Sequence, residues 1–197
     1  MRLGLYGGTF DPIHSGHLII AQFVQEELNL DSIVFIPSGT PPHKRVFAAN
    51  ELRLRMVEAA IAGNAAFQVS GYELEHPGVN YSVDTIVHLQ HDSGVTADRL
   101  HWIIGSDNFV QLQDWHEPER LLQHCRLVVF PRNNVDHTLA RPAYLQKAQI
   151  LTSAPQIDIS STLVRQLVRK RRSIRYLVPP SVNEIIRLNN LYIEAES

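Results

Sequence analysis

"LGLYGGTFDPIHSGH", residues 3–17, is the stretch on which the reading of this chain turns. Leu3–Tyr6 is a short apolar run, the pattern of a buried strand. Two glycines, a threonine, a proline and two histidines three apart follow it at once. Beyond them, over residues 17–28, Leu18, Ala21, Val24 and Leu28 fall on one helical face. Strand, glycine-bearing turn and helix together open a βαβ unit.

The alternation continues outward from there. Ile33–Ile36, Phe67–Ser70, Leu100–Ile104, Leu127–Phe130 and Ile150–Leu151 read as further strands. Helices are predicted over residues 50–62, with Asn50 as N-cap and Gly63 as the stop, and over 82–90, 117–123, 161–170 and 180–189. Residues 133–148 carry no clear period. The pattern predicts an α/β fold: a Rossmann-like, doubly wound parallel sheet with a small C-terminal helical portion. The whole chain, 1–197, reads as one domain whose helical part begins near 159. In such a sheet ligands bind outside the carboxyl ends of the strands. The polar clusters "GGTFDPIHSGH", "PSGTPPHK" and "GSD" fall there.

Composition narrows the class. Hydrophobic residues are 44% and charged residues 19%, which excludes a disordered chain. A net charge of −2 gives no general attraction to nucleic acid or anionic membrane. Cys125 is the single cysteine, so no intrachain disulfide can form. With neither a signal-like start nor a long apolar segment, the expectation is a cytoplasmic protein with no membrane partner, and a homo-oligomer stays open.

The opening turn admits three readings. In the first it holds phosphates: Gly7 and Gly8 let backbone N–H groups approach an anion, Thr9 adds a donor, Ser15 caps the helix, and His14 and His17 project from one side of its first turn. In the second, H-x-x-H contributes to a zinc site, which needs three or four ligands. In the third it is a tight strand–helix turn with two exposed histidines. Neither a Walker A loop nor a G-x-G-x-x-G fingerprint occurs in the chain.

The stretch also resembles the H-x-G-H signature of the nucleotidyltransferase superfamily, here His14-Ser15-Gly16-His17, and "ISSTLVR" at 159–165 resembles its second motif, I-S-S-T-x-x-R. Ser160 or Ser161 can at the same time cap the helix that follows. "PSGTPPHK", "RLRMVEAAI", "NYSVDT", "IIGSDNFVQLQDW" and "SIRYLVPPSV" are similar to segments of the bacterial nicotinate-nucleotide adenylyltransferase family. That resemblance implies joining of nicotinate mononucleotide to the AMP part of ATP, with release of deamido-NAD and pyrophosphate. It implies His14, His17, Lys44 and Arg165 as catalytic residues. Gly8, Thr9, Phe10, Gly105, Asp107, Ser161 and Thr162 join His14, His17 and Arg165 around ATP. Lys44, Thr85, Asp107, Trp115 and His116 are implied around the mononucleotide, with Trp115 against the pyridine and the Thr85 and His116 amides on its carboxylate. Mg²⁺ is expected to arrive on the ATP phosphates, with no metal site of the protein's own. Taken singly, Lys44 also reads as a solvated loop lysine, Trp115 as a packing aromatic, and Tyr81 and Asp84 as local packing and a helix-start carboxylate. A preference for nicotinamide mononucleotide or another phosphate acceptor, and an ATP-binding sensor without turnover, are the alternatives.

Three features depart from the family pattern. His116 stands where an aromatic residue is common, "RKRRSIR" at 169–175 carries arginine where glycine is frequent, and the tail "NEIIRLNNLYIEAES" supports no functional reading.

Overall fold

The computed structural model describes residues 1–40, 45–76, 78–132 and 134–193. Six strands, β1 (Leu3–Gly8), β2 (Ser32–Pro37), β3 (Phe67–Val69), β4 (Leu100–Gly105), β5 (Arg126–Phe130) and β6 (Ala148–Ile150), form one sheet in the order β3-β2-β1-β4-β5-β6. Every pairing is parallel. The strand order therefore reverses between β1 and β4, and it is there that a doubly wound sheet opens a crevice.

The sheet alternation sorts the core into two layers. Tyr6, Ile33, Phe35, Ile103, Val128 and Phe130 face one side and pack with residues of α1 (Ser15–Glu27), α2 (Asn50–Ile61), α8 (Ser161–Arg169) and α9 (Pro180–Leu188). Leu5, Val34, Ile36, Trp102, Ile104, Leu127 and Val129 face the other and pack with α4 (Ser82–Ser93), α5 (Ser106–Val110), α6 (Pro118–His124) and α7 (Pro142–Leu145). The short α3 (Tyr72–Glu75) lies between β3 and α4. The C-terminal helices thus return to the face that α1 covers. Val164, Val182 and Ile186 share its core, and the Ser181 hydroxyl donates to the Ala59 carbonyl of α2 at 2.9 Å.

The structure corrects several local expectations. Asn50 does not cap α2; Ala49 holds the cap position, and the Asn50 side chain accepts from Arg53 at 2.7 Å. The last strand is Ala148–Ile150, not 150–151. Residues 133–148, aperiodic in sequence, include a 3₁₀ turn at His137–Leu139 and the helix Pro142–Leu145. These elements of three and four residues are too short for a hydrophobic period to register. Arg171, in the basic run, adopts φ 52°, and the Arg172 N–H closes back on the Leu167 carbonyl at 2.9 Å. A helix ending this way favours glycine just beyond its cap, and here arginine takes that position. Among the described residues no helix is long and apolar enough to cross a membrane.

Candidate active site

The turn after β1 is held from three directions. Phe10 sits at φ 46° with its ring buried edge-on against Tyr6 and His17, which forces the chain sharply out of the strand. The Asp11 carboxylate accepts from the Phe47 and Ala48 N–H groups at 2.6 and 3.2 Å and from the Tyr192 hydroxyl at 2.6 Å. Burial and the Asp11 charge both push the Tyr192 phenol upward, so it stays a donor. The Thr9 carbonyl accepts from the fully buried Arg53 at 2.7 Å.

Two anchors bring the late motif onto this turn. Arg165 donates through Nη1 to the Asp11 carbonyl at 2.7 Å, and the Ser161 hydroxyl donates to the Pro12 carbonyl at 2.8 Å. The second guanidinium nitrogen of Arg165 reaches the Thr162 hydroxyl at 3.2 Å. Ser160, not Ser161, caps α8, accepting from the Leu163 N–H at 3.1 Å. The helix N-termini of α1 and α8 thus meet at one place, and each favours negative charge.

His14 and His17 stack at 3.6 Å between ring centroids, tilted by 23°. His14 itself is the N-cap residue of α1; Ser15, expected in that role, lies in the first turn and donates its hydroxyl to the Tyr176 carbonyl. The His17 Nδ1 accepts from the His14 N–H at 3.2 Å, which leaves the proton of a neutral ring on Nε2. Neither ring nitrogen of the buried His14 has a hydrogen-bond partner among the described residues. Burial first, and then the Arg132 cation, hold its pKa down at about 3. His14 is therefore neutral near pH 7 and carries one ring N–H to donate.

A small cavity of about 20 Å³ lies beside these rings, lined by His14, His17, Arg132 and Ile157 among others. Arg132 faces Asp107 at 3.9 Å, and its backbone is pinned by Ser106, whose hydroxyl donates to the Arg132 carbonyl and accepts from the Arg132 N–H. A side chain at Gly105 would strike both Asp107 and Arg132, so glycine is what lets the ends of β4 and β5 close this tightly. At Gly7 the Trp102 indole fills the space a Cβ would take, so packing alone already requires glycine there.

The residues implied around the mononucleotide are arranged more openly. Trp115 follows a 3₁₀ turn and packs part-buried on the second core layer. The His116 ring stacks on Tyr81, the N-cap residue of α4, at 4.1 Å and 28°. Arg120 bridges Asp84 and Glu117 at 3.7 and 2.7 Å. Thr85 is buried, with its hydroxyl donating to Glu73 at 2.8 Å and its N–H to the Tyr81 carbonyl at 3.2 Å. Its amide is thus engaged within the helix rather than turned to a ligand. Lys44 lies outside the described residues.

Residues 5–167 match the Cytidylyltransferase-like family. A probable nicotinate-nucleotide adenylyltransferase of Salinibacter ruber is 39% identical over 194 residues, 98% of both chains. One of Caldicellulosiruptor saccharolyticus is 35% identical, covering 98% of this chain and all of its own. This chain belongs to the nicotinate-nucleotide adenylyltransferase family. Among solved structures, the Plasmodium falciparum nicotinic acid mononucleotide adenylyltransferase complexed with NaAD superposes with a TM-score of 0.76 at 19% identity, over 96% of each chain. That likeness supports the α/β, Rossmann-like architecture of this nucleotidyltransferase.

Sequence reasoning missed four residues of this site. Arg132 had a signal, since "PR" directly follows a strand and so falls at the ligand-binding edge. Arg53 lies in the quoted segment "RLRMVEAAI" but reads there as an ordinary polar position of a helix, and nothing singles out Glu73, which falls between predicted elements. Tyr192 sits in the tail that supported no reading, and it seals Asp11 from 181 residues away.

Proposed function

We propose that this chain transfers the adenylyl group of ATP to nicotinate mononucleotide, giving deamido-NAD and pyrophosphate. The observation that carries the reading is the direct clasp of the two phosphate motifs, Arg165 on Asp11 and Ser161 on Pro12, beside a buried His14 whose ring nitrogens have no hydrogen-bond partner among the described residues. A buried donor without a partner is costly unless a ligand satisfies it.

An acceptor phosphate oxygen forms a bond to the α-phosphorus as the bond to the β,γ-pyrophosphate breaks. No enzyme nucleophile takes part, so the protein contributes position and charge. Neutral His14, together with His17, donates hydrogen bonds to ATP phosphates alongside the Gly8, Thr9 and Phe10 backbone. Arg165, with Ser161 and Thr162, holds the β,γ-phosphates as negative charge gathers on the leaving group, and Lys44 adds a point charge. Arg132 supplies a further cation at the carboxyl end of β5. Gly105 and Asp107 border the adenosine side, and Trp115 with His116 borders the pyridine. Mg²⁺ enters on the ATP phosphates; among the described residues no three His, Cys, Asp or Glu side chains group to hold a metal. The reading takes 1–197 as one cytoplasmic domain whose part from 159 onward completes the phosphate grip.

The test is pyrophosphate release with ATP, Mg²⁺ and either nicotinate or nicotinamide mononucleotide. Release with a higher kcat/KM for the nicotinate form is the expected result. No release with either overturns the proposal.

A further inference from the structure

The two halves of the site are joined through the interior by a chain of polar contacts. From the phosphate turn, the Thr9 carbonyl accepts from Arg53 Nη1 at 2.7 Å, and Arg53 Nη2 donates to the Gly39 carbonyl at 3.3 Å. The Gly39 N–H donates to the Glu73 carboxylate, which also accepts from the Thr85 hydroxyl at 2.8 Å. Thr85 lies one turn into α4, whose N-cap Tyr81 stacks on His116. Thr9 on one side and Thr85 on the other are thus the ends of one hydrogen-bonded chain.

Burial makes this chain unusual. Arg53 is 0% exposed, Thr85 1% and Glu73 7%. Burial pulls the guanidinium pKa down and pushes the carboxyl up, while the attraction between the two opposes both shifts. Two interior charges at this depth are a poor route to stability, since apolar side chains of like volume do as well or better. They do fix geometry, because each bond has one direction and one length. Gly39 is enclosed between them: a side chain there would run into the Glu73 carbonyl and the Asn80 side chain. The neighbouring Thr40 bridges to Val79, which ties the same loop to the segment before α4.

We propose that Arg53 and Glu73 are positioning residues for adenylyl transfer, holding the phosphate turn and the start of α4 at one separation so that the acceptor phosphate meets the α-phosphorus in line. This rests on the two-substrate reading above. Both act through protein groups, the backbone of Thr9 and Gly39 and the Thr85 hydroxyl.

The experiment separates binding from alignment. Thr85→Val removes the hydroxyl at nearly constant volume, Thr85→Ser keeps it, and Glu73→Gln removes the charge and leaves one acceptor oxygen for two donors, the Gly39 N–H and the Thr85 hydroxyl. For each folded variant, the affinity for a non-reacting ATP analogue and for nicotinate mononucleotide is measured alone, and the single-turnover rate is measured with both reactants saturating. Thr85→Val and Glu73→Gln should lower the rate about 10- to 100-fold while each affinity moves less than about threefold, and Thr85→Ser should stay within about threefold of the parent. An unchanged rate in Thr85→Val, or affinities that fall by the same factor as the rate, overturns the proposal. If Glu73→Gln does not fold, the Thr85 pair decides. A parent protein that turns over no mononucleotide refutes the reaction itself, a separate outcome from a failed alignment effect.

Discussion

The phosphate half and the acceptor half of this site are built on opposite plans. Around the phosphate turn, backbone carbonyls, a buried carboxylate and two arginines are committed to one another before any ligand arrives. Around Trp115 and His116, the fixing contacts are a ring stack and ion pairs between side chains that are close to half exposed. The contrast follows from what each half must do. Charge that develops during reaction is stabilised most by dipoles that need no reorganisation. A flat ring can be received by side chains that move a little on binding. The difference predicts that damage to the first half, and to the buried Glu73–Thr85 link that extends it, appears in the chemical step, and damage to the more open contacts around Trp115 and His116 in substrate binding.

The largest effect should come from Arg165. Arg165→Ala removes the anchor from α8 to the Asp11 carbonyl and, on the proposed function, a phosphate contact as well, and kcat/KM should fall about 100- to 1000-fold. Arg165→Lys keeps the charge but not the planar fork and should recover only part of that loss. Steady-state pyrophosphate release measures both. If Arg165→Ala raised only the KM for ATP and left kcat intact, the phosphate half would be an ordinary binding surface and the comparison would break.

His116 should give a smaller effect of a different kind. His116→Ala deletes the stack on Tyr81, an interaction of roughly 0.5–1.5 kcal/mol, so the KM for nicotinate mononucleotide should rise about 2- to 10-fold with kcat little changed. His116→Phe restores a ring and should restore KM. A fall in kcat matching that of Arg165→Ala would show that the acceptor half is as rigid as the phosphate half.

Much of the first half was legible in the sequence, and the reason is physical. Its two motifs lie at the starts of helices, and capping chemistry is local, so a serine cap of α8 at 160 or 161 could be anticipated, though not which of the two. The strands were legible because buried parallel strands are continuous apolar runs. What could not be read was the long-range polar scaffold. Arg53 shares α2 with Met56 and Val57 and carries no mark of being buried. Tyr192 meets Asp11 across nearly the full chain. Hydrogen bonds between residues so distant leave no period, and one sequence offers no other trace of them. Ser15 shows the same limit at short range: its type suits a cap, but a contact with Tyr176 claims its hydroxyl and His14 takes the cap position.

The smallest effect is a slope that should be absent. With its pKa held at about 3, His14 stays neutral throughout pH 6–9 and adds no pH dependence to kcat/KM there. Arg132→Met removes only the lesser of the two causes, so the profile should stay flat in that variant as well. The same depression has a consequence for folding. In the unfolded chain His14 takes up a proton as pH falls through about 6.5, whereas in the folded protein it resists until about 3. Between those values the unfolded state binds more protons, so stability is complete above about 6.5 and declines as pH falls toward 3. Replacing His14 with Asn removes this contribution, and the acid decline in Tm should be shallower in His14→Asn than in the parent over that window. A kcat/KM that falls as pH rises through 7, and loses that slope in His14→Asn, would mean the imidazole titrates in contact with water. The phosphate half would then be as open as the acceptor half, and preorganised charge would no longer separate the two.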